Sequence, residues 1–140
     1  MPKVAFDTNV LLSAILSAKG ASYALVYLAA EGKITGYTTK TLMEEFKDVV
    51  QRDCAVPLER AEQMIDVYLQ FLKLVEPDIT LDAIPADKDD NRVLECAVYA
   101  RAKYLASWDP HLTDIGEFNG IKIINPGKLL AELKEAHGIG

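Results

Sequence analysis

The segment VAFDTNVLLS, residues 4–13, decides how the fold of this chain begins. Three apolar residues run directly into an aspartate, Asp7, and the apolar residues resume after Asn9. A strand that is covered on both faces reads as a continuous apolar run. A charge at the end of such a strand needs a favourable partner, because an isolated buried carboxylate is strongly destabilising.

Short apolar runs and segments of helical periodicity alternate along the rest of the chain. The predicted strands cover residues 3–6, 34–37, 74–76, 104–107 and 121–124. Residues 74–76 read equally well as the end of a helix. The predicted helices cover residues 22–31, 57–72, 91–102 and 126–136, and another runs to about residue 51 from a cap at Thr38, Thr39 or Thr41. Strands that alternate with helices indicate an α/β fold with a mainly parallel sheet, here of four to five strands.

The length and composition are those of one globular domain. A chain of 140 residues fits a single domain, residues 1–140, and 50% of its residues are hydrophobic. No apolar stretch approaches the roughly 20 residues that span a membrane, and the first residues do not read as a signal peptide. Two isolated cysteines, Cys54 and Cys96, fit a reducing compartment. We therefore expect a cytoplasmic protein without a membrane segment.

The net charge bears on which partners the chain has. It is −6 at pH 7, with a sequence pI of about 4.9. Broad nonspecific binding to nucleic acid depends on Lys and Arg side chains that neutralise phosphates, so the acidic balance argues against it. That argument weakens if a bound cation holds several of the acids together.

Acidic residues follow the predicted strands at the edge where α/β proteins carry their sites. Sites of open parallel sheets form outside the carboxyl ends of the strands. Asp7 comes directly after the first strand, and Asp109 follows the strand at 104–107. Each also has an ordinary explanation: Asp7 caps the helix that follows it, and Asp109, before a proline, begins a turn.

The helix after the second strand offers two neighbouring glutamates, and its periodicity chooses between them. At about 100° per residue, its apolar side chains fall within one arc. Glu45 lies on the flank of that arc, whereas Glu44 points nearly opposite. Of the two, Glu45 is the acid that reaches a cleft, with a plain surface position as its ordinary explanation.

The segment DKDDNRVLECA, residues 87–97, holds a further candidate. Asp90 lies near the centre of the buried face of the predicted helix, in its first turn, while Asp89 lies to one side. The positive end of a helix stabilises a carboxylate there, which is also the ordinary explanation of Asp90. Asp87 is placed to act as the N-cap.

Taken together, the acids Asp7, Glu45, Asp90 and Asp109 indicate a cation site. Two carboxylates about 4 Å apart repel by roughly 4 kcal/mol at an effective dielectric constant of about 20. A bound cation offsets this repulsion, and ligation by oxygen alone suits Mg²⁺ or Mn²⁺.

The segments that carry these acids resemble the motifs of the PIN domain family of metal-dependent ribonucleases. DTNVLLSA, residues 7–14, is similar to the first motif, an Asp-x-Asn after the first strand. EEFKDVV, residues 44–50, is similar to the second, DKDDNRVLECA to the third, and ASWDPHL, residues 106–112, to the fourth. Each motif is weak alone, but four in order cover nearly the whole chain. The branch that the chain most resembles is the VapC-like toxins of toxin–antitoxin pairs. The resemblance implies a three-layer α/β/α fold.

The resemblance also implies the chemistry. The carboxylates of the family hold one or two Mg²⁺ or Mn²⁺ ions for hydrolysis of RNA phosphodiester bonds. The resemblance implies that Asp7 and Asp90 are principal ligands, directly or through water, and that Asp109 completes the site. Glu45 orients or deprotonates the attacking water, or holds a second ion. In-line attack would leave a 5′-phosphate and a 3′-hydroxyl.

Supporting roles are also implied by the resemblance. Asn9 buttresses the loop or contacts substrate. Ser107 hydrogen-bonds Asp7 or a phosphate, and Asp87 is an auxiliary acid.

Contacts with RNA need cations or aromatic rings near this edge. The candidate cations are Lys40, Lys88, Arg92 and Arg101. Lone Lys and Arg side chains on helices are usually solvated, which is the alternative for each of them. Tyr37, Trp108 and Phe118 are candidates to stack unpaired bases, although aromatic residues beside an apolar strand more often belong to the core.

The VapC-like resemblance implies two protein partners. A cognate antitoxin protein is expected to cover the acidic cleft and to insert an Arg or Lys among the carboxylates. A homodimer is expected as well, because the first helix and the helix at 57–72 offer apolar faces.

Other chemistries find little support. Two histidines, His111 and His137, are too few and too scattered for a zinc site. The sequence has no Gly-rich phosphate loop and no Ser-His-Asp or Cys-His unit. The alternative function is a non-catalytic module that binds RNA or a protein on the same scaffold. The presence of all four acids favours the enzyme.

Overall fold

Helices and strands alternate along the chain, as the periodicity predicts. The structure, a computed structural model, describes residues 1–81 and 88–140, without the side chains of Lys88 and Asp89. The described strands are β1 (Lys3–Phe6), β2 (Thr35–Thr39), β3 (Leu72–Val75), β4 (Tyr104–Ala106), β5 (Glu117–Phe118) and β6 (Ile121–Ile124). The described helices are α1 (Thr8–Leu16), α2 (Ala21–Ala30), α3 (Lys40–Cys54), α4 (Leu58–Leu69), α5 (Lys88–Ala100), α6 (Pro110–Thr113) and α7 (Pro126–His137). Asp87, the predicted N-cap and auxiliary acid, lies outside the described residues.

The strands form one mainly parallel sheet in the order β3-β2-β1-β4-β6-β5. The described sheet has six strands, one more than the upper limit of the prediction. The additional strand is β5, which pairs antiparallel with β6 across a tight turn. Asn119 and Gly120 form that turn with positive φ angles of 50° and 80°. A strand of two residues is too short to show an alternating pattern, which explains why the sequence did not reveal it.

The sheet separates two hydrophobic cores, which makes the fold a three-layer α/β/α structure. Side chains of successive strand residues point to opposite faces. In β1, Val4 and Phe6 pack into one core, with side chains of α1, α2, α4 and α7. Ala5, between them, packs into the other, with side chains of α5. This confirms the predicted architecture.

Four of the described helices begin at or shortly beyond the carboxyl ends of strands, each capped by a side chain at the junction. Asp7 caps α1 after β1, Thr39 caps α3 after β2, Asn125 caps α7 after β6, and Asp109 caps α6 shortly after β4. The amino ends of these helices therefore lie at the carboxyl edge of the sheet, where their positive dipole ends favour carboxylates.

The third strand lies slightly earlier than predicted. β3 spans Leu72–Val75, and α4 already ends at Leu69, so the predicted helix at 57–72 is too long. Leu72 is 3% exposed and pairs with Gly36 of β2. Burial of this leucine in the sheet core explains why the strand begins there.

In residues 1–81 and 88–140, no single helix is long and apolar enough to cross a membrane. By length and composition alone, α1 and α2 together pass such a test, but they meet at an angle of 103°.

Gly36 provides a test of the packing around the central strands. A Cβ atom at this position would lie 2.5 Å from Leu72 Cδ2 and 2.7 Å from Phe6 Cε2. We expect Gly36→Ala to lower the free energy of unfolding by about 1–3 kcal/mol, because the added methyl overpacks a buried site. Urea unfolding measures this.

The control for that experiment is Gly127→Ala, at the second residue of α7. The nearest atom to its added Cβ, Asn125 Oδ1, is 3.5 Å away, which is ordinary contact. This change should leave the stability equal or slightly raised, because alanine favours helix. A Gly36→Ala protein as stable as the wild type would contradict the packing described here.

Candidate metal centre

Two strand ends meet in the middle of the carboxyl edge. β1 and β4 pair in parallel with Phe6 opposite Ala106, so the residues that follow, Asp7 and Ser107, are neighbours. The amide N–H of Asp7 donates to the Ala106 carbonyl oxygen over 3.0 Å and extends the pairing by one residue. Both residues are buried, with 7% of Asp7 and none of Ser107 exposed.

The Asp7 carboxylate is held by hydrogen bonds to both of its oxygens. Oδ1 accepts from the backbone N–H of Thr8 over 2.8 Å, which caps α1. Oδ2 accepts from the Ser107 hydroxyl over 2.7 Å and from the Asn9 side-chain amide over 3.2 Å. The ordinary explanation of Asp7, a helix cap, is therefore correct, and it accounts for only one of the two oxygens.

Ser107 connects this aspartate to Asp109. Its hydroxyl donates to Asp7 Oδ2, as expected, and accepts from the Asp109 backbone N–H over 3.0 Å. Asn9 braces the same loop, because its side-chain oxygen accepts from the Trp108 backbone N–H over 3.1 Å. The positions of Asp7 and Asp109 are therefore coupled through one buried hydroxyl.

Three side chains beside this network are spaced for a metal ion. Ligand atoms of Asp90, Asp109 and His111 all lie within 4.8 Å of one another, and Asp90 is only 5% exposed. A metal with ligands at about 2.1 Å separates any two of them by at most about 4.2 Å, so small side-chain adjustments would complete the fit. Two carboxylates and an imidazole are donors that suit a divalent cation.

His111 is the member of this group that the sequence analysis did not select. Asp109 caps α6, and its Oδ1 accepts from the His111 backbone N–H over 2.9 Å. The His111 Nδ1 atom lies 3.8 Å from the same oxygen. A histidine in the first turn of a helix capped by a candidate acid was the available signal. The total of two histidines in the chain gave no sign of it.

Glu45 lies at the same edge, on the second turn of α3. It is half-buried, whereas Glu44 is exposed, as the periodicity predicts. The N-cap Thr39, whose hydroxyl accepts from the Leu42 N–H over 3.1 Å, fixes where this helix begins. The group within 4.8 Å, found among the described residues, includes neither Glu45 nor Asp7.

The cations predicted to contact RNA differ in how they are placed. Lys40 is exposed at the start of α3. Arg92 instead forms an ion pair with the buried Glu95 at 2.8 Å and donates to the Leu81 carbonyl over 3.2 Å. Glu95 also accepts from the Leu81 N–H over 2.8 Å, so this pair fastens the chain at Leu81 to α5. The Lys88 side chain lies outside the described part of the structure.

Cys96 is excluded as a nucleophile by its surroundings. It is fully buried on α5, and burial raises the pKa of its thiol to about 12. A thiol that remains protonated near neutral pH and has no solvent access does not attack a substrate.

Carboxylates gathered at the carboxyl edge of a parallel sheet, with an imidazole beside them, define an α/β protein with a candidate divalent-cation site. More particularly, the chain belongs to the PIN domain family: its sequence matches the PIN domain over residues 3–111. This range includes all four predicted acids, Asp7, Glu45, Asp90 and Asp109. Members of this family are generally nucleases.

Solved structures share the fold. A chain in the crystal structure of VapBC2 from Rickettsia felis, bound to a DNA fragment from the VapBC2 promoter, matches with a TM-score of 0.65 and 14% identity. The match covers 88% of this chain and 98% of that chain. The PIN domain of RRP44 from T. brucei matches with a TM-score of 0.52 and 15% identity, over 98% of this chain and 83% of that one. A comparison with curated protein sequences found no match.

The hydroxyl of Ser107 provides a test of the coupled network. We expect Ser107→Ala to weaken Mn²⁺ binding by about 10-fold or more, because residues that orient metal ligands usually contribute 10–100-fold to affinity. Titration calorimetry on EDTA-stripped protein measures this. Ser17→Ala, which removes an exposed hydroxyl at the end of α1, is the matched control and should bind as the wild type does. Equal affinities for all three proteins would show that the network does not support a metal.

Proposed function

We propose that this protein is a metal-dependent endoribonuclease that hydrolyses RNA phosphodiester bonds with Mg²⁺ or Mn²⁺. The observation that carries the proposal is the placement of Asp90, Asp109 and His111 within 4.8 Å, beside the buried Asp7. Family membership supports it, because PIN nucleases typically use divalent metals.

Each residue has a role in the proposed reaction. Asp90 and Asp109 would hold the cation directly, with the His111 imidazole as a further donor. Asp7, whose Oδ2 faces Ser107 and Asn9, would contribute through a bound water. When bound, the cation would neutralise charge on the phosphodiester and lower the pKa of a water.

Glu45 would act as the general base in the proposed reaction. Its carboxylate, half-buried on α3, would accept a proton from the attacking water. In-line attack of that water on phosphorus would break the bond to the 3′ oxygen, which would take a proton from solvent, leaving a 5′-phosphate and a 3′-hydroxyl. Asn9 would keep the loop that carries Asp7 in place.

The alternative is a non-catalytic module that binds RNA or a protein on the same scaffold. The acids favour the enzyme, because a binding module has no need for carboxylates spaced for a cation, and clustered carboxylates repel one another. An acidic site also repels the RNA backbone unless a cation neutralises it. The metal is therefore required for binding as well as for hydrolysis in the proposed function.

Two neighbouring glutamates test the catalytic role with a matched pair. We expect Glu45→Gln to slow Mn²⁺-dependent cleavage of single-stranded RNA by about 100-fold or more, the usual contribution of a general base. Glu44→Gln, which changes an exposed residue one position away, should cleave at the wild-type rate. Rates under single-turnover conditions measure both, with Asp7→Asn as the inactive reference.

The results that contradict this prediction are distinct. Equal slowing by both substitutions would show that the effect is a general one of charge. A wild-type protein no more active than Asp7→Asn, with metal present, would contradict the enzyme and favour the binding module.

We further propose that the protein is a toxin with a cognate antitoxin as its partner. The resemblance to VapC-like toxins and the structural match to a chain of VapBC2 support this. A groove of about 510 Å³ between α1, α2 and α4, lined mostly by apolar side chains, supports a protein partner as well. Tyr27 and Val67 are 51% and 54% exposed there, and such clustered apolar exposure is typical of interaction sites.

The groove would be a second contact surface for the antitoxin, in addition to the acidic cleft. The antitoxin was expected to cover the acidic cleft with an Arg or Lys. We propose that an apolar segment of the same partner lies in the groove, where its side chains would contact Tyr23 and Tyr27, whose rings stack with centroids 6.1 Å apart. The expected homodimer remains a prediction, and this groove is one of the surfaces available to it.

A pair of substitutions on α4 tests the groove. We expect Val67→Glu to weaken binding of the protein encoded immediately upstream by about 100-fold, because the partner would bury a charge. Leu58→Glu is the matched control: Leu58 is 50% exposed on the same helix and does not line the groove. Calorimetry measures the affinities, and sedimentation equilibrium measures self-association in parallel. A binding loss for Leu58→Glu alone would contradict the proposal. Conversion of a wild-type dimer to a monomer by Val67→Glu alone, with unchanged partner binding, would assign the groove to self-association instead.

A further inference from the structure

Trp108 is the one tryptophan of the chain, and it directly precedes Asp109 at the candidate metal centre. It is 41% exposed, whereas Tyr37, another candidate for base stacking, is 6% exposed and belongs to the core. Exposed single aromatic residues are common on protein surfaces, so exposure alone carries no conclusion. The way this side chain is held is more informative.

Both the ring and the backbone of Trp108 are anchored. The indole Nε1–H donates to the hydroxyl of Ser22 over 2.7 Å, and Ser22, on α2, is 1% exposed. The backbone N–H donates to the side-chain oxygen of Asn9, which also contacts Asp7. The ring is therefore fixed in orientation relative to the candidate metal centre, although much of its surface remains open to solvent. A ring that is already fixed loses little conformational entropy when a ligand stacks on it.

The acidic charge of the chain favours a contact with RNA that does not depend on cations. The chain has a net charge of −6, and Arg92, one of the cations near this edge, is held by Glu95 and Leu81. Contacts with phosphates therefore contribute less RNA affinity here than they do on a basic surface. Stacking of a base on an aromatic side chain contributes about 1–3 kcal/mol and does not require a basic surface.

We propose that Trp108 is a fixed platform on which an unpaired base of the bound RNA stacks. The inference rests on the proposed nuclease function. Bases within a duplex have both faces covered by neighbouring bases, so paired RNA does not present one to this ring.

Intrinsic fluorescence tests the proposal directly, because Trp108 is the only tryptophan. The experiment uses a Glu45→Gln background, in which cleavage is slow, with Mn²⁺ and an unstructured oligoadenylate. We expect the single strand to quench the emission of Trp108. A duplex of oligoadenylate with oligouridylate at the same concentration should quench it little. The affinity should fall only shallowly with added salt.

Variants separate stacking from a general structural role. In the same background, Trp108→Ala should weaken binding of labelled oligoadenylate by about 10-fold, and Trp108→Phe, which keeps an aromatic face, should weaken it less. Ser22→Ala, which frees the ring, should reduce affinity while leaving quenching detectable. Tyr99→Ala is the matched control, because Tyr99 is 45% exposed near the far end of α5, away from the carboxyl edge. It should bind as the background protein does.

The outcomes are distinguishable from failure of the proposed function. Two outcomes overturn the inference even if the wild-type protein cleaves RNA. In one, oligoadenylate binds without quenching the emission of Trp108. In the other, it binds with equal affinity to the background protein and to the Trp108→Phe and Trp108→Ala variants. Loss of binding to the upstream-encoded protein in Trp108→Ala, with unchanged RNA affinity, also overturns it and assigns the ring to a protein interface. Quenching in the background protein does not depend on the folding of any Trp108 variant. Failure of wild-type protein to cleave any RNA with Mn²⁺ would instead contradict the nuclease itself.

Discussion

The parallel pairing of β1 with β4 is the constraint on which the rest of this structure depends. Its register sets Phe6 opposite Ala106, so Asp7 and Ser107 leave the sheet side by side. A shift of one residue would turn Phe6 out of its core and move Asp7 away from Ser107. The core therefore specifies the site: the burial of one phenylalanine holds in place the carboxylate that follows it.

The acids at this edge have structural and chemical roles at the same time. One oxygen of Asp7 caps α1 while the other faces Ser107, and Asp109 caps α6 while belonging to the group with Asp90 and His111. Helix amino ends favour carboxylates by roughly 0.3–1 kcal/mol each, which offsets only part of the repulsion among clustered acids. In the proposed function a bound cation would offset the remainder, so a helix cap and a metal ligand are compatible explanations of one residue.

Much of the architecture was predictable because its signals are local. The apolar runs predict β1 and β6, and the periodicity of α3 predicts that Glu45 is more buried than Glu44; the structure confirms both. Features that depend on tertiary contacts were not predictable: the two-residue strand β5, the ion pair of Arg92 with Glu95, and the approach of His111 to Asp90. Asp90 and His111 are 21 residues apart and meet only because α5 and α6 begin at the same edge. The roles of the site residues in catalysis remain predictions.

We propose above all that this edge of the sheet is a metal centre. Anomalous diffraction at the manganese absorption edge, from crystals grown with Mn²⁺, tests the claim most directly. We predict a peak within about 2.0–2.6 Å of carboxylate oxygens of both Asp90 and Asp109, the distance range of hard cations bound by oxygen. The absence of such a peak at the carboxyl edge of the sheet, whether Mn²⁺ is bound elsewhere in the crystal or not at all, would contradict the proposed metal centre.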